Sequence, residues 1–198
     1  MIKKYFPALQ YLNVPNSITL TGLMLGLCNI CFIILGMWKA FYVSFLLVSC
    51  MDSLDGFAAK RLHQQTPIGE ELDSLCDGVN FVLVPALFAI CVARLHPAVI
   101  ACGAVFCVGG ILRLAYYNLM PEEEEGFVGV PTTIASMFAA LFAWLFGLIF
   151  PHLWGLIGPS LVLLGALMVC KKRFYGTNFL RVLFGVIGLL FVIAGLCL

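Results

Sequence analysis

Long runs of apolar residues, separated by short polar stretches, make up almost the whole chain. Each run is about the ~20 residues that a helix needs to cross the hydrocarbon core of a bilayer. The pattern predicts seven transmembrane segments, over residues 16–37, 40–62, 70–94, 97–119, 130–149, 152–170 and 178–197. The polar joins are too short to hold a separate soluble domain. We therefore expect an all-α polytopic membrane protein.

The composition supports the same class of protein. Of the 198 residues, 63% are hydrophobic and 11% are charged, and the mean hydropathy is +1.08. A water-soluble protein could not bury so much apolar surface. Residues 1–15 mix lysine, aromatic and amide side chains, so we expect an amphipathic segment that lies at the membrane interface. We expect no nucleic-acid partner.

Lysine and arginine are distributed unequally between the two sides of the predicted bundle. If the N-terminus is cytoplasmic, two cations lie outside, Lys39 and Arg94, and Arg113 lies within a span. Eight then lie inside, namely Lys3, Lys4, Lys60, Arg61, Lys171, Lys172, Arg173 and Arg181. Because cytoplasmic loops of membrane proteins carry the excess of positive charge, this bias predicts a cytoplasmic N-terminus.

Four aspartates interrupt the second and third segments, where charge is costly. Asp52 and Asp55 are three positions apart and Asp73 and Asp77 are four apart, so each pair lies on one helix face. A turn at Thr66-Pro67 would make the two helices antiparallel and let the carboxylates converge. Divalent cations would relieve their repulsion, and oxygen ligands favour Mg²⁺, Mn²⁺ or Ca²⁺. Two such ions would balance the four charges.

Small residues border the acidic faces. Gly56 and Ala59 follow Asp52 on the same helical stripe, and Gly69 lies one turn before Asp73. This pattern predicts that a bulky ligand approaches the backbone there. The alternative is that the small residues only permit close helix packing, which is common in membranes.

The spacing of these residues is similar to a known signature. The run Asp52-x2-Asp55-Gly56-x2-Ala59-Lys60-x8-Gly69-x3-Asp73-x3-Asp77 resembles that of the CDP-alcohol phosphotransferase family, membrane enzymes of phospholipid synthesis. Lys60 stands where the family usually has arginine, which keeps a cation but loses a bidentate fork.

Other segments resemble the phosphatidylserine synthase branch of that family. They read VPNSITLTGL, GEELDSLCDGVNF, GGILRLAYYNL, EGFVGVPTT and LMVCKKRFYG. Two departures concern the acceptor site. The run Asn80-Phe81-Val82 stands where the branch commonly has Ser-Phe-Gly, and Tyr116 stands where a second arginine often follows Arg113.

The resemblance implies an architecture. It implies a six-helix catalytic core over residues 16–176, to which residues 177–198 add a further C-terminal transmembrane helix. It also implies a homodimer that is embedded among membrane lipids. The cation bias, which places Lys60 and Arg61 inside and beside the aspartates, predicts that the active site faces the cytoplasm.

The resemblance also implies roles for individual residues. Asp52, Asp55, Asp73 and Asp77 would bind two divalent cations, Mg²⁺ or Mn²⁺, and Asp77 would also act as the general base. The CDP-lipid would lie against Asn16, Thr19, Gly56, Ala59, Lys60 and Gly69. Asn16 has the alternative of capping the first helix.

The implied reaction transfers the phosphatidyl group from CDP-diacylglycerol to the hydroxyl of L-serine. Arg113 is the candidate for binding the acceptor, through a carboxylate or a phosphate, because an arginine within a span is a functional candidate by default. Pairing with an acidic side chain is its structural alternative. Two other functions stay open: transfer to another alcohol, such as glycerol 3-phosphate or inositol phosphate, and transport of a divalent cation.

Overall fold

The computed structural model describes residues 7–119, 127–171 and 173–174. Six helices in these ranges are long and apolar enough to cross a membrane. They are α1 (Val14–Ile34), α2 (Trp38–Arg61), α3 (Pro67–Val92), α4 (Pro97–Tyr117), α5 (Thr132–Ile149) and α6 (Pro151–Val169). The first six predicted segments agree with them to within three residues at each end. The protein is an all-α polytopic membrane protein, as predicted.

The two ends of the chain are described only in part. The predicted seventh segment at 178–197 lies outside the described residues, and so do the predicted domain boundary at 176 and the cations Lys3, Lys4, Lys172 and Arg181. Near the N-terminus, Pro7–Tyr11 forms one 3-10 turn before α1. The placement of residues 1–15 at the interface stays a prediction.

Helix α1 begins with a side-chain cap. The side-chain oxygen of Asn13 accepts a hydrogen bond from the backbone N–H of Asn16 at 2.9 Å. This bond satisfies one of the N–H groups that a helix leaves free in its first turn. The alternative that Asn16 caps the helix is therefore wrong, because the cap lies three residues earlier and Asn16 is already helical.

A tight connection between α2 and α3 makes these two helices antiparallel. Thr66 caps α3 by accepting a hydrogen bond from the N–H of Gly69 at 3.2 Å. Pro67 follows at the first helical position, where its missing N–H has no cost. The predicted turn at Thr66-Pro67 is therefore confirmed.

Helix α3 changes its winding in the middle. It is α-helical over Pro67–Asp77, π-helical over Gly78–Leu83 and α-helical again over Val84–Val92. Pro85 has no N–H to donate to the carbonyl four residues earlier, which weakens regular α-helical pairing just here. Single π-helical turns occur frequently at functional sites.

The helices pack most extensively as the pairs α1–α2 and α4–α6. In the second pair, a Cβ on Gly109 would lie 2.6 Å from the carbonyl oxygen of Gly165, so the two backbones are in contact and only glycine fits. Near the start of α2 and the end of α3, the rings of Phe41 and Phe88 stack with centroids 4.3 Å apart. The four aspartates lie toward the opposite end of α2 and α3.

A two-residue strand pairing adds to the helices. Phe127–Val128 pairs antiparallel with Arg173–Phe174. It joins the segment before α5 to the segment after α6. The sequence pattern did not predict it, since two residues are too few to show a strand periodicity.

Candidate active site

The four aspartates converge on one small cavity between α1, α2 and α3. One carboxylate oxygen from each of Asp52, Asp73 and Asp77 lies within 4.8 Å of the other two. The carboxyl groups of Asp52 and Asp77 are in hydrogen-bond contact. Asp55 is outside this trio but lines the same cavity. The predicted convergence is confirmed for all four.

Asp55 is held by a partner on α1. Only 6% of its surface is exposed, and the hydroxyl of Thr19 donates a hydrogen bond to its Oδ2 at 2.6 Å. Because Thr19 is itself buried, it fixes where the Asp55 carboxylate can point. The structure thus places Thr19, a predicted contact of the CDP-lipid, as a partner of one of the aspartates.

The carboxylate trio fits a hard divalent cation. Oxygen ligands lie about 2.0–2.6 Å from Mg²⁺ or Ca²⁺, so two oxygens on one ion are at most ~4–5 Å apart. The separations within the trio are at most 4.8 Å, which is inside the limit of ~5 Å for Ca²⁺, whereas the limit for Mg²⁺ is ~4.2 Å. Two carboxylates in contact, such as Asp52 and Asp77, also repel unless a proton or a cation lies between them. The donor set is therefore compatible with a hard divalent cation.

The bond between Thr19 and Asp55 leads to a prediction. Replacing Thr19 by Val keeps the shape of the side chain and removes the hydroxyl, so the Asp55 carboxylate loses its orientation. If Asp55 binds a cation, we expect the Mn²⁺ concentration for half-maximal activity to rise about 10- to 100-fold. Thr19→Ser keeps the hydroxyl and should stay close to the wild type. Equal Mn²⁺ requirements in Thr19→Val and the wild type would contradict a role for Asp55 in cation binding.

The small residues beside the aspartates fall into two groups. A Cβ on Gly69 would lie 2.9 Å from Oδ1 of Asn16, so close packing of α3 against α1 accounts for this glycine. A Cβ on Gly56 would meet no atom within 4 Å in the described part of the chain, so its surroundings are open. Ala59 is half-buried, and Lys60 is exposed in the last turn of α2. Of these residues, Gly56 therefore has unobstructed space beside it.

Asn16 lies in the first turn of α1, where α1 packs against Gly69 of α3. It is 5% exposed, and its side-chain nitrogen donates a hydrogen bond to the carbonyl oxygen of Tyr11 at 2.8 Å. This bond uses one of the two N–H groups of the Asn16 carboxamide. A contact between Asn16 and the CDP-lipid stays a prediction, as do those of Gly56, Ala59, Lys60 and Gly69.

Arg113 lies beside the carboxylates rather than on the cavity wall. Its Nη1 donates a hydrogen bond to the hydroxyl of Thr132 at the start of α5. Its guanidinium carbon is 5.6 Å from the centre of the Tyr117 ring, and it is close enough to Asp77 for their charges to interact. Its buried Nε has no hydrogen-bond partner among the residues described. A donor is therefore free for a ligand.

Three polar or small residues of the cavity wall were not predicted as site residues, namely Gly22, Cys76 and Asn80. Asn80 had a signal that could have identified it. It follows Asp77 by three positions and Asp73 by seven, a spacing that places all three on one helix face. Gly22 and Cys76 had no comparable signal, because their place depends on how α1 packs against α3.

Comparison with known proteins places this site within a family. Residues 12–193 match the sequence model of the CDP-alcohol phosphatidyltransferase family, a range that extends beyond the predicted core at 16–176. Three relatives share the name CDP-diacylglycerol–serine O-phosphatidyltransferase. One from Methanocaldococcus jannaschii is 28% identical over 71% of this chain and 65% of its own. One from Bacillus subtilis is 32% identical over 48% and 54%.

The third, from Helicobacter pylori, is 29% identical over 85% of this chain and 73% of its own. For the first two relatives, the match thus spans less than two thirds of their length. The family match, by contrast, covers nearly all of this chain, including α1 to α6 and the four aspartates. The chain therefore belongs to the CDP-alcohol phosphatidyltransferase family.

Proposed function

We propose that the protein transfers the phosphatidyl group of CDP-diacylglycerol to L-serine and so makes phosphatidylserine and CMP. The observation that carries this proposal is the convergence of four carboxylates of the family signature on one cavity. The choice of serine rests on the relatives, whose name states that they act on this acceptor. It also rests on Arg113, a permanently charged group beside the carboxylates.

The residues support a division of roles. Asp52, Asp73 and Asp77 would hold one divalent cation through the trio of oxygens, and Asp55 would complete a second site across the cavity. When bound, such cations neutralise the charge of a diphosphate and stabilise CMP as the leaving group. The open space beside Gly56 would admit the nucleotide part of the CDP-lipid.

Proton transfer would fall to Asp77. Its carboxylate takes the proton of the serine hydroxyl. The hydroxyl oxygen then forms a bond to the lipid-bearing phosphorus, and the bond from that phosphorus to the oxygen of CMP breaks. Arg113 interacts electrostatically with Asp77, and it would hold the serine carboxylate while the hydroxyl faces the base. Asp77 and Arg113 therefore account for the deprotonation of the acceptor and for its orientation.

A panel of acceptors tests this proposal. Purified protein receives CDP-diacylglycerol and Mn²⁺ with L-serine, glycerol 3-phosphate, inositol phosphate or no alcohol, and CMP release is measured. We expect release that depends on L-serine. Release with a phosphorylated alcohol and none with L-serine would contradict the serine assignment and would leave the phosphatidyl transfer intact.

Arg113 gives a prediction for the binding of the acceptor. Arg113→Lys keeps the charge and loses the planar fork, so the KM for serine should rise about 10-fold, equivalent to one charged hydrogen bond of ~1.5 kcal/mol. The KM for CDP-diacylglycerol should change little, as expected for lost binding of one substrate. Arg94→Lys, an exposed arginine near the opposite end of the bundle, is the matched control. A rise only in the KM for CDP-diacylglycerol would assign Arg113 to the lipid substrate.

The orientation in the membrane is a further part of the proposal. Lys60, Arg61 and Lys171 lie at the end of the bundle where α2 passes into α3, and Lys39 and Arg94 lie near the other end. The excess of positive charge at the first end favours the cytoplasm on that side. A cytoplasmic opening would give the site access both to a membrane lipid and to a soluble alcohol.

Labelling of single cysteines checks this orientation. All nine cysteines are first replaced, and Cys is then introduced at Gln65 or at Lys39, both of which are exposed. In sealed cells, an impermeant maleimide should label Lys39→Cys at once and Gln65→Cys only after permeabilisation. The reverse pattern would show that the active site opens to the outside. A homodimer is also expected for the protein and stays a prediction.

A further inference from the structure

Asn80 is a buried polar residue on the wall of the carboxylate cavity. It is 4% exposed and lies in the π-helical turn that follows Asp77. Its Oδ1 has no hydrogen-bond partner in the ranges that the structure describes. That oxygen lies against the backbone of α1 at Gly26, and the carboxamide nitrogen is the polar atom nearer to Gly22, which lines the cavity.

The position of the Asn80 side chain is fixed by α1. A Cβ on Gly26 would overlap the carboxamide oxygen of Asn80, and a Cβ on Gly22 would lie 4.0 Å from its nitrogen. Gly26, which has no Cβ, thus makes room for the Asn80 side chain. The carboxamide is therefore confined between the backbone of α1 and the cavity.

The chain direction places Asn80 at the deep end of the cavity. Helix α2 runs toward the turn at Thr66 and α3 runs away from it, so Asp52 and Asp77 lie deeper than Asp55 and Asp73. Asn80 is almost one further turn along α3, beyond Asp77. The carboxyl groups nearest to the depth of Asn80 are therefore those of Asp52 and Asp77, which are in hydrogen-bond contact with each other.

We propose that Asn80 is a fifth cation-binding residue, beside the four aspartates, and that its carboxamide oxygen binds the divalent cation held by Asp52 and Asp77. This inference rests on the proposed function. Carboxamide oxygens are hard ligands of the same class as carboxylates, and they add no charge. Rotation about the last side-chain bond exchanges the oxygen and nitrogen in nearly the same volume, so the oxygen can face the cavity although α1 confines the group. Asn80 would thus supply an oxygen ligand that carries no charge of its own.

Direct binding of Mn²⁺ tests the proposal without any turnover. Purified protein in detergent is titrated with Mn²⁺ in the absence of CDP-lipid, and free Mn²⁺ is followed by electron paramagnetic resonance. Asn80→Leu keeps the approximate shape and removes both polar atoms, and we expect the Kd for Mn²⁺ to rise about 10-fold or more. Asn80→Asp keeps an oxygen in the same place and should bind Mn²⁺ at least as tightly as the wild type.

The chain offers a matched control in Asn29. This residue of α1 is also fully buried, and both polar atoms of its side chain lack partners among the described residues. It is not part of the cavity wall. Asn29→Leu removes the same group from the core and should leave the Kd for Mn²⁺ unchanged. Thermal unfolding of both leucine variants shows whether each is folded under the conditions of the titration.

The outcomes separate the inference from the proposed function. Wild-type affinity in folded Asn80→Leu, together with loss of binding in Asp77→Asn, would overturn the role of Asn80 and leave the carboxylate site in place. Weaker binding in Asn80→Asp than in the wild type would also overturn it, because a carboxylate there should favour a cation. If the wild type binds no Mn²⁺, both the inference and the metal-dependent function fail. If Asn80→Leu does not fold, Asn80→Ala and Asn80→Asp decide: binding should weaken in the first, which has no side-chain oxygen, and should be retained in the second, and equal affinity in Asn80→Ala and the wild type would overturn the role of Asn80.

Discussion

Asp77→Asn should reduce the rate of CMP release by at least ~10²–10⁴-fold, the range typical of lost acid and base catalysis. Asp77 belongs to the trio of converging carboxylates, and it is the residue proposed to take the proton of the acceptor. The asparagine keeps the size of the side chain and removes the negative charge and the basic oxygen. The variant would therefore lose a cation ligand and the base in one step.

The control for this experiment lies on the same helix. Glu70 and Glu71 are exposed in the first turns of α3, away from the cavity wall. Glu70→Gln removes one carboxylate from α3 and should leave the activity unchanged. Turnover of folded Asp77→Asn at the wild-type rate would show that another group accepts the proton and that the trio is not the centre of catalysis.

Removing divalent cations should abolish the activity. Without cations, four carboxylates and a diphosphate would have to share one small cavity, and their repulsion would oppose binding of the CDP-lipid. We expect CMP release to fall to the background after treatment with a chelator and to return when Mg²⁺ or Mn²⁺ is added back. Turnover of CDP-diacylglycerol, measured over a series of free cation concentrations, gives the requirement directly.

Two further measurements test whether the activity requires a bound cation. The chelated protein should keep its helical circular dichroism, because six apolar helices rather than the cation hold the fold together. Full activity in protein that elemental analysis shows to be free of divalent metal would contradict the cation site. In that case the contact between Asp52 and Asp77 would have to be explained by a shared proton.

Much of the fold was predictable because membranes impose simple rules. Every backbone group within a bilayer must be paired, so apolar runs of sufficient length become helices whatever surrounds them. The convergence of Asp52 with Asp73 and Asp77 followed from helical periodicity and from one turn, at Thr66-Pro67. Both are local properties of the sequence.

The rest depended on contacts between helices that are distant in the sequence. That Thr19 binds Asp55, and that Gly26 makes room for Asn80, follows only from how α1 packs against α2 and α3. The alternative role of Asn16 as the cap of α1 was wrong because the cap is Asn13, and asparagine is a good capping residue at either position. The two asparagines are three positions apart, and a sequence pattern does not locate a helix end more precisely than that.

The central claim is the transfer of a phosphatidyl group to serine at the carboxylate cavity, and its most direct test is a balance of products. Purified wild-type protein is incubated with CDP-diacylglycerol, isotope-labelled L-serine and Mn²⁺, and both the labelled lipid and the CMP are quantified by mass spectrometry. We predict one labelled phosphatidylserine for each CMP released, and neither product in Asp77→Asn. CMP release without labelled lipid, or labelled lipid formed equally by Asp77→Asn, would contradict this account.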